Sequence, residues 1–100
     1  MRIDLPHPEQ FSAIFETVML KKLTYPVSGV SIDSRNVKEG DLFIAIEGKK
    51  LDGHTFLDDV FNKGASAAIV NKRNTDIQLQ QIRKSNPVLA LAEIASEYRV

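Results

Sequence analysis

GVSIDSRNVKEGDLFIAIEGKKLDGH, residues 29–54, carries four of the chain's five glycines and two strand patterns, each followed by polar, turn-prone residues. In the first pattern Val30 and Ile32 alternate with Ser31 and Asp33, which predicts a half-buried strand over residues 29–34. In the second, LFIAI at residues 42–46, every position is apolar, as in a strand covered on both faces. Lys38-Glu39-Gly40-Asp41 between them is turn chemistry. Residues 47–54 contain Gly48, Asp52-Gly53 and two lysines, and predict a loop leaving the carboxyl end of the second strand.

The flanking residues supply packing elements. Pro6 and Pro8 keep residues 1–8 extended, and Pro8 suits the first turn of a helix. Phe11, Ile14, Phe15 and Val18 then recur at helical spacing, with Lys21 and Lys22 expected at the helix end. Thr55 is the expected cap of a second helix, whose apolar face would be Phe56, Leu57, Val60 and Phe61, with Gly64 just past its end. Residues 65–70 (ASAAIV) predict a strand, residues 71–76 a surface turn, and residues 81–84 a short further strand. Ser85 or Asn86 before Pro87 starts a last helix, with Val88, Leu91, Ala92 and Ala95 as its stripe and Leu89, Ile94 and Tyr98 beside it. Alternating strands and helices imply an α/β fold, a small layered domain with a short mixed sheet flanked by helices.

Composition narrows the function. The 100 residues are one domain's worth of chain, 43% apolar and 26% charged, as in an ordinary soluble globular protein. Thirteen basic residues balance thirteen acidic ones, which argues against a nucleic-acid domain. There is no cysteine, so a disulfide framework and a thiolate metal site are excluded, and a reducing cytoplasm fits. No signal peptide and no apolar run near membrane-spanning length is visible, so no membrane partner is expected.

Catalytic motifs are missing. His7 and His54 lie in no triad pattern, His54 with Asp52 is a weak metal signal, and neither GxxxxGK[ST] nor GxGxxG occurs. No catalytic residue and no metal ligand is therefore assigned. Two clusters remain. Asp33-Ser34-Arg35 ends a strand, where α/β folds open onto ligands, and Arg35 offers a fork that suits phosphate. Gly48-Lys49-Lys50-Leu51-Asp52-Gly53-His54 adds two cations and glycines that let a ligand approach. Each cluster has a plainer reading as a solvated turn. Together they suit an anionic small ligand such as a nucleotide diphosphate.

The motifs D-S-R at 33–35, G-D-L-F-I-A at 40–45 and G-K-K-L-D-G-H-T-F at 48–56 resemble the N-terminal domain of MurE- and MurF-type Mur ligases. The likeness continues through Lys63-Gly64-Ala65, residues 67–70 and residues 90–95, and covers roughly residues 27–99. It implies that residues 1–100 are the UDP-binding domain of a cytoplasmic, ATP-dependent peptidoglycan ligase, with ATP and Mg2+ held by a central domain outside this chain. The implied partners are UDP-N-acetylmuramoyl-peptide and the ligase's own central and C-terminal domains. By the same resemblance Ile32 and Ser34 would line the uridine site, and Lys49, Lys50 and Leu51 would cover the uracil and diphosphate. Arg35, steadied by Asp33 or Asp41, and His54 would support the pocket. The helix end Ala95-Ser96-Glu97-Tyr98-Arg99 resembles MurF, which adds D-alanyl-D-alanine, more than MurE, which adds a diamino acid. A non-enzymatic interaction module with the same fold is the further alternative.

Overall fold

The computed structural model describes residues 2–48 and 52–98. Among these, five strands form one mixed sheet in sequential order: β1 (Arg2–Asp4), β2 (Gly29–Ser31), β3 (Asp41–Ile44), β4 (Ala67–Val70) and β5 (Gln80–Arg83). β1 runs antiparallel to β2, and the other pairings are parallel. Helices α1 (Pro8–Met19) and α3 (Pro87–Glu97) cover one face, and α2 (Leu57–Asn62) covers the other. The expected layered α/β domain with a short mixed sheet is what forms.

The two faces follow from strand alternation. Leu42, Ile44, Ala67, Ile69 and Ile82 point toward α1 and α3, where they meet Phe11, Phe15, Met19, Ala90 and Ile94. Register lines up Ile44, Ile69 and Ile82 across three strands. Phe43, Ala45, Ala68 and Val70 point the other way and pack on Leu57, Val60 and Leu79. β3 is buried along its whole length: Leu42 to Ile44 as their apolar run implies, and Asp41 because Arg2 pairs with its carboxylate.

Several local expectations are corrected. β2 is buried at all three positions rather than half-buried, because Ser31 satisfies its hydroxyl internally by donating to the Asp33 carbonyl at 2.8 Å. α1 stops at Met19, before the lysines: Leu20 turns left-handed (φ 56°) and its N–H donates to the Glu16 carbonyl. Thr55 does not cap α2. A 3-10 turn, Gly53–Phe56, intervenes, capped by Asp52, whose carboxylate accepts from the His54 N–H. α2 therefore buries Leu57 and Val60, while Phe61 stays exposed. Gly64 adopts φ 94° after α2, a conformation that favours glycine. α3 is capped by Asn86, which accepts from the Leu89 N–H, with Pro87 in its first turn. Its buried face is Pro87, Ala90 and Ile94. Val88 and Leu89 are about half exposed, at 48% and 55%, because the helix turns Pro87, Ala90 and Ile94 toward the sheet and these two lie off that face.

Candidate functional site

The four parallel strands end at one edge of the sheet. Ile32 to Arg35 follow β2, Ala45 to Glu47 follow β3, Asn71 to Arg73 follow β4 and Lys84 follows β5. Carboxyl ends of parallel strands are where open α/β sheets bind ligands. Between the first two sets lies a crevice of about 430 Å³, lined by Ile32, Asp33, Ser34, Arg35, Phe43, Ile46, Gly53 and Phe56. Four apolar side chains and a few polar groups in one concavity are the usual composition of a small-molecule site.

Each wall has a local cause. Asp33 caps the 3-10 turn Ser34–Asn36: its carboxylate accepts the Arg35 N–H at 2.9 Å. The same carboxylate accepts the Arg35 guanidinium twice, Nε at 3.1 Å and a terminal nitrogen at 2.8 Å. These bonds, the guanidinium's first, hold the Asp33 carboxyl down at about 2 and raise Arg35. Lys63 Nζ donates to the Ser34 carbonyl at 2.8 Å and ties this turn to the end of α2. On the opposite wall Gly53 donates its N–H to the Ile46 carbonyl at 2.8 Å. A Cβ on Gly53 would lie 2.8 Å from Ile46 N and 3.1 Å from Ala45 Cα, so glycine lets the two stems touch.

Ile32, Ser34 and Arg35 all line this crevice. Arg35 is steadied by Asp33. Asp41 is engaged elsewhere: it is fully buried, takes the Arg2 guanidinium at 2.6 and 2.7 Å, and accepts the Lys38 N–H at 3.0 Å. Lys49, Lys50 and Leu51 lie outside the described residues. His54 sits behind the wall, lining a second, more polar crevice with Glu47, Asp52 and Asn71. Its Nε2 accepts the Asn71 N–H at 3.0 Å, so the proton is on Nδ1, which donates to Asp52 at 2.6 Å. The backbone and ring N–H groups of His54 together hold the Asp52 carboxyl below its ordinary range. A His–Asp dyad acts as a base through its outer nitrogen, and here the Asn71 N–H occupies that nitrogen. The dyad is a structural clamp.

Phe43, Ile46 and Phe56 were not singled out by the sequence as site residues, whereas Gly53 belonged to the second cluster. Phe56 has the clearest signal, since it closes the 48–56 motif, yet its apolar character reads equally as helix packing. Among the described residues no three His, Cys, Asp or Glu side chains gather in a way that could hold a metal. No helix among them is long and apolar enough to cross a membrane.

Fold and crevice thus define an α/β domain with a concavity at the carboxyl edge of its sheet. The family described as "Mur ligase family, catalytic domain" matches residues 26–98. The chain belongs to the Mur ligase family. It is 34% identical over 93 residues to a UDP-N-acetylmuramoyl-L-alanyl-D-glutamate–2,6-diaminopimelate ligase of Clostridium tetani, covering 80% of this chain and 19% of that protein. It is 29% identical over 90 residues to a UDP-N-acetylmuramoyl-tripeptide–D-alanyl-D-alanine ligase of Haemophilus influenzae, covering 90% of this chain and 20% of that protein. Among solved structures, MurF from Acinetobacter baumannii shares the fold at a TM-score of 0.73 and 24% identity, over 86% of this chain and 20% of that one. MurF ligase from Thermotoga maritima, solved in complex with ADP, matches at a TM-score of 0.63 and 34% identity, over 68% of this chain and 16% of that one. The chain spans about a fifth of the length of these curated relatives.

Proposed function

We propose that this chain is the N-terminal, substrate-holding domain of a Mur ligase of peptidoglycan synthesis, and that its crevice binds the UDP end of a UDP-N-acetylmuramoyl-peptide. The observation that carries the proposal is the meeting of Ile32 and Ser34 in one crevice. The family pattern assigns both to the uridine, and they share the crevice with Phe43, Ile46 and Phe56. The apolar walls suit the faces of a base, and the Ser34 hydroxyl and turn backbone suit its polar edge. Lys49, Lys50 and Leu51, carried over from the same pattern, complete the proposed site and bring positive charge for the diphosphate. Arg35 orients the turn through Asp33, and His54 clamps the far wall.

ATP has no evident seat in this chain, because no phosphate-loop motif occurs in it. Although the family's description carries the word catalytic, ATP-dependent bond formation belongs, in this reading, to the rest of a cytoplasmic ligase. D-alanyl-D-alanine is the preferred added group. The Haemophilus relative supports it by aligning over 90% of the chain, and the Thermotoga MurF structure supports it at 34% identity. A diaminopimelate-adding ligase is the second reading, favoured by the higher identity of the Clostridium relative.

Saturation-transfer NMR on UDP and ADP mixed with the chain tests the binding role. Transfer to the uracil protons of UDP with little to ADP is the expected result. No transfer to UDP at millimolar concentration would leave an interaction module with the same fold.

A further inference from the structure

The far wall of the crevice is a pair of chain segments just beyond β3. Past the last rung of the ladder, where the Ala45 N–H donates to the Ile69 carbonyl at 3.0 Å, this chain leaves the sheet. Its outgoing stem, Ile46-Glu47, and its returning stem, Asp52-Gly53-His54, hold each other through the Gly53–Ile46 bond and a Glu47–Asp52 bridge. Neighbouring residues in each stem face opposite ways. Ile46 and Gly53 line the first crevice, and Glu47, Asp52 and His54 line the second.

Asn71, the first residue after β4, reaches both stems from behind. Its backbone N–H donates to His54 Nε2 at 3.0 Å, and its Nδ2 donates to Glu47 Oε2 at 3.0 Å. Its own carbonyl accepts Arg83 Nε from β5 at 3.1 Å. One residue thus continues the work of the ladder where the backbone pairing has stopped, joining the ends of β4 and β5 to the wall.

We propose that Asn71 is a positioning residue for the ligand crevice: it lines the second crevice rather than the first and sets where Ile46 and Gly53 stand relative to Ile32 and Ser34. The proposal rests on reading that crevice as the nucleotide site. A site works when its walls are held by a supporting layer of hydrogen bonds, and Asn71 supplies that layer from β4.

The test uses the 100-residue chain, with UDP affinity and amide exchange at Gly53 as readouts, both taken well below each variant's melting temperature. N71A removes the Glu47 tether without adding charge. It is expected to weaken UDP about fivefold, the scale of one modest hydrogen bond, and to speed Gly53 exchange by a similar factor. N71D sets two carboxylates against each other and should do more. Adding E47Q to N71D restores the bond with donor and acceptor exchanged, and should return both readouts to the parent values. Wild-type affinity and wild-type Gly53 exchange in N71A, or no rescue by E47Q in N71D, overturns the proposal. If the parent chain itself ignores UDP, the nucleotide reading fails. Gly53 exchange then still reports on the wall by itself, and unchanged exchange in N71A shows that Asn71 positions nothing.

Discussion

Asp33 uses its carboxylate twice, capping the turn after β2 and gripping the Arg35 guanidinium, whose side chain is otherwise 86% exposed. Both bonds favour the ionised form, so the folded-state value falls to about 2, below the ordinary carboxylate range. The sign of the linkage follows. The stability contributed by this pair is complete above the unfolded value near 4 and is lost as pH falls from there toward about 2. Carboxylate NMR of Asp33 should therefore show a midpoint near 2, and a midpoint near 4 would mean that the turn is not capped in solution. The other acid of the motif, Asp41, serves stability. It is fully buried, and Arg2 is its charge partner. Arg2→Ala strands a buried carboxylate and should cost about 3 kcal/mol or more, read from urea unfolding midpoints. Asp41→Asn should cost less, since the new side chain can still accept the Lys38 N–H and Arg2 keeps Asp4. Equal costs would contradict this picture.

The strands were readable because their burial pattern is simple. LFIAI is apolar at every position and is covered by α3 on one side and α2 on the other. Asn86-Pro87 announced α3 through a cap and a residue suited to a first turn. The helix faces were harder to read. Val88 and Leu89 are apolar and correctly spaced, but the helix is rotated so that Pro87, Ala90 and Ile94 form the buried stripe instead. Phe56 misled for the same kind of reason: an apolar residue before a helix can pack with it or line a crevice, and periodicity does not distinguish the two. Gly53 is the element on which the wall depends. Gly53→Ala forces a methyl against the Ile46 nitrogen and the Ala45 backbone. It should cost about 1–3 kcal/mol by overpacking and weaken UDP binding more than an equally destabilising change in α1. A thermal melt alongside a UDP titration of both variants checks this.

At the level of the whole molecule, sequential strand order carries the loops after β2 and β3 to the same edge of the sheet. The motif at 33–35 and the residues Gly53 and Phe56 are thereby neighbours in space, and local pattern alone could not show it. Ile32, Ser34 and Arg35 meet in the crevice. His54 turns behind it because its ring bonds bridge Asp52 to the start of the β4–β5 connection. The division between wall and clamp depends on which way each stem residue faces, and no spacing in the sequence encodes that once the chain has left the sheet. The crevice assignment is open to an amide NMR titration of the 100-residue chain with UDP up to millimolar concentration. Saturable shifts should cluster on Ile32, Ser34, Ile46, Gly53 and Phe56, with Val18 and Met19 at the end of α1 unmoved. Shifts that scatter over both faces, or no shifts at all, would contradict a nucleotide site at the carboxyl edge of the sheet.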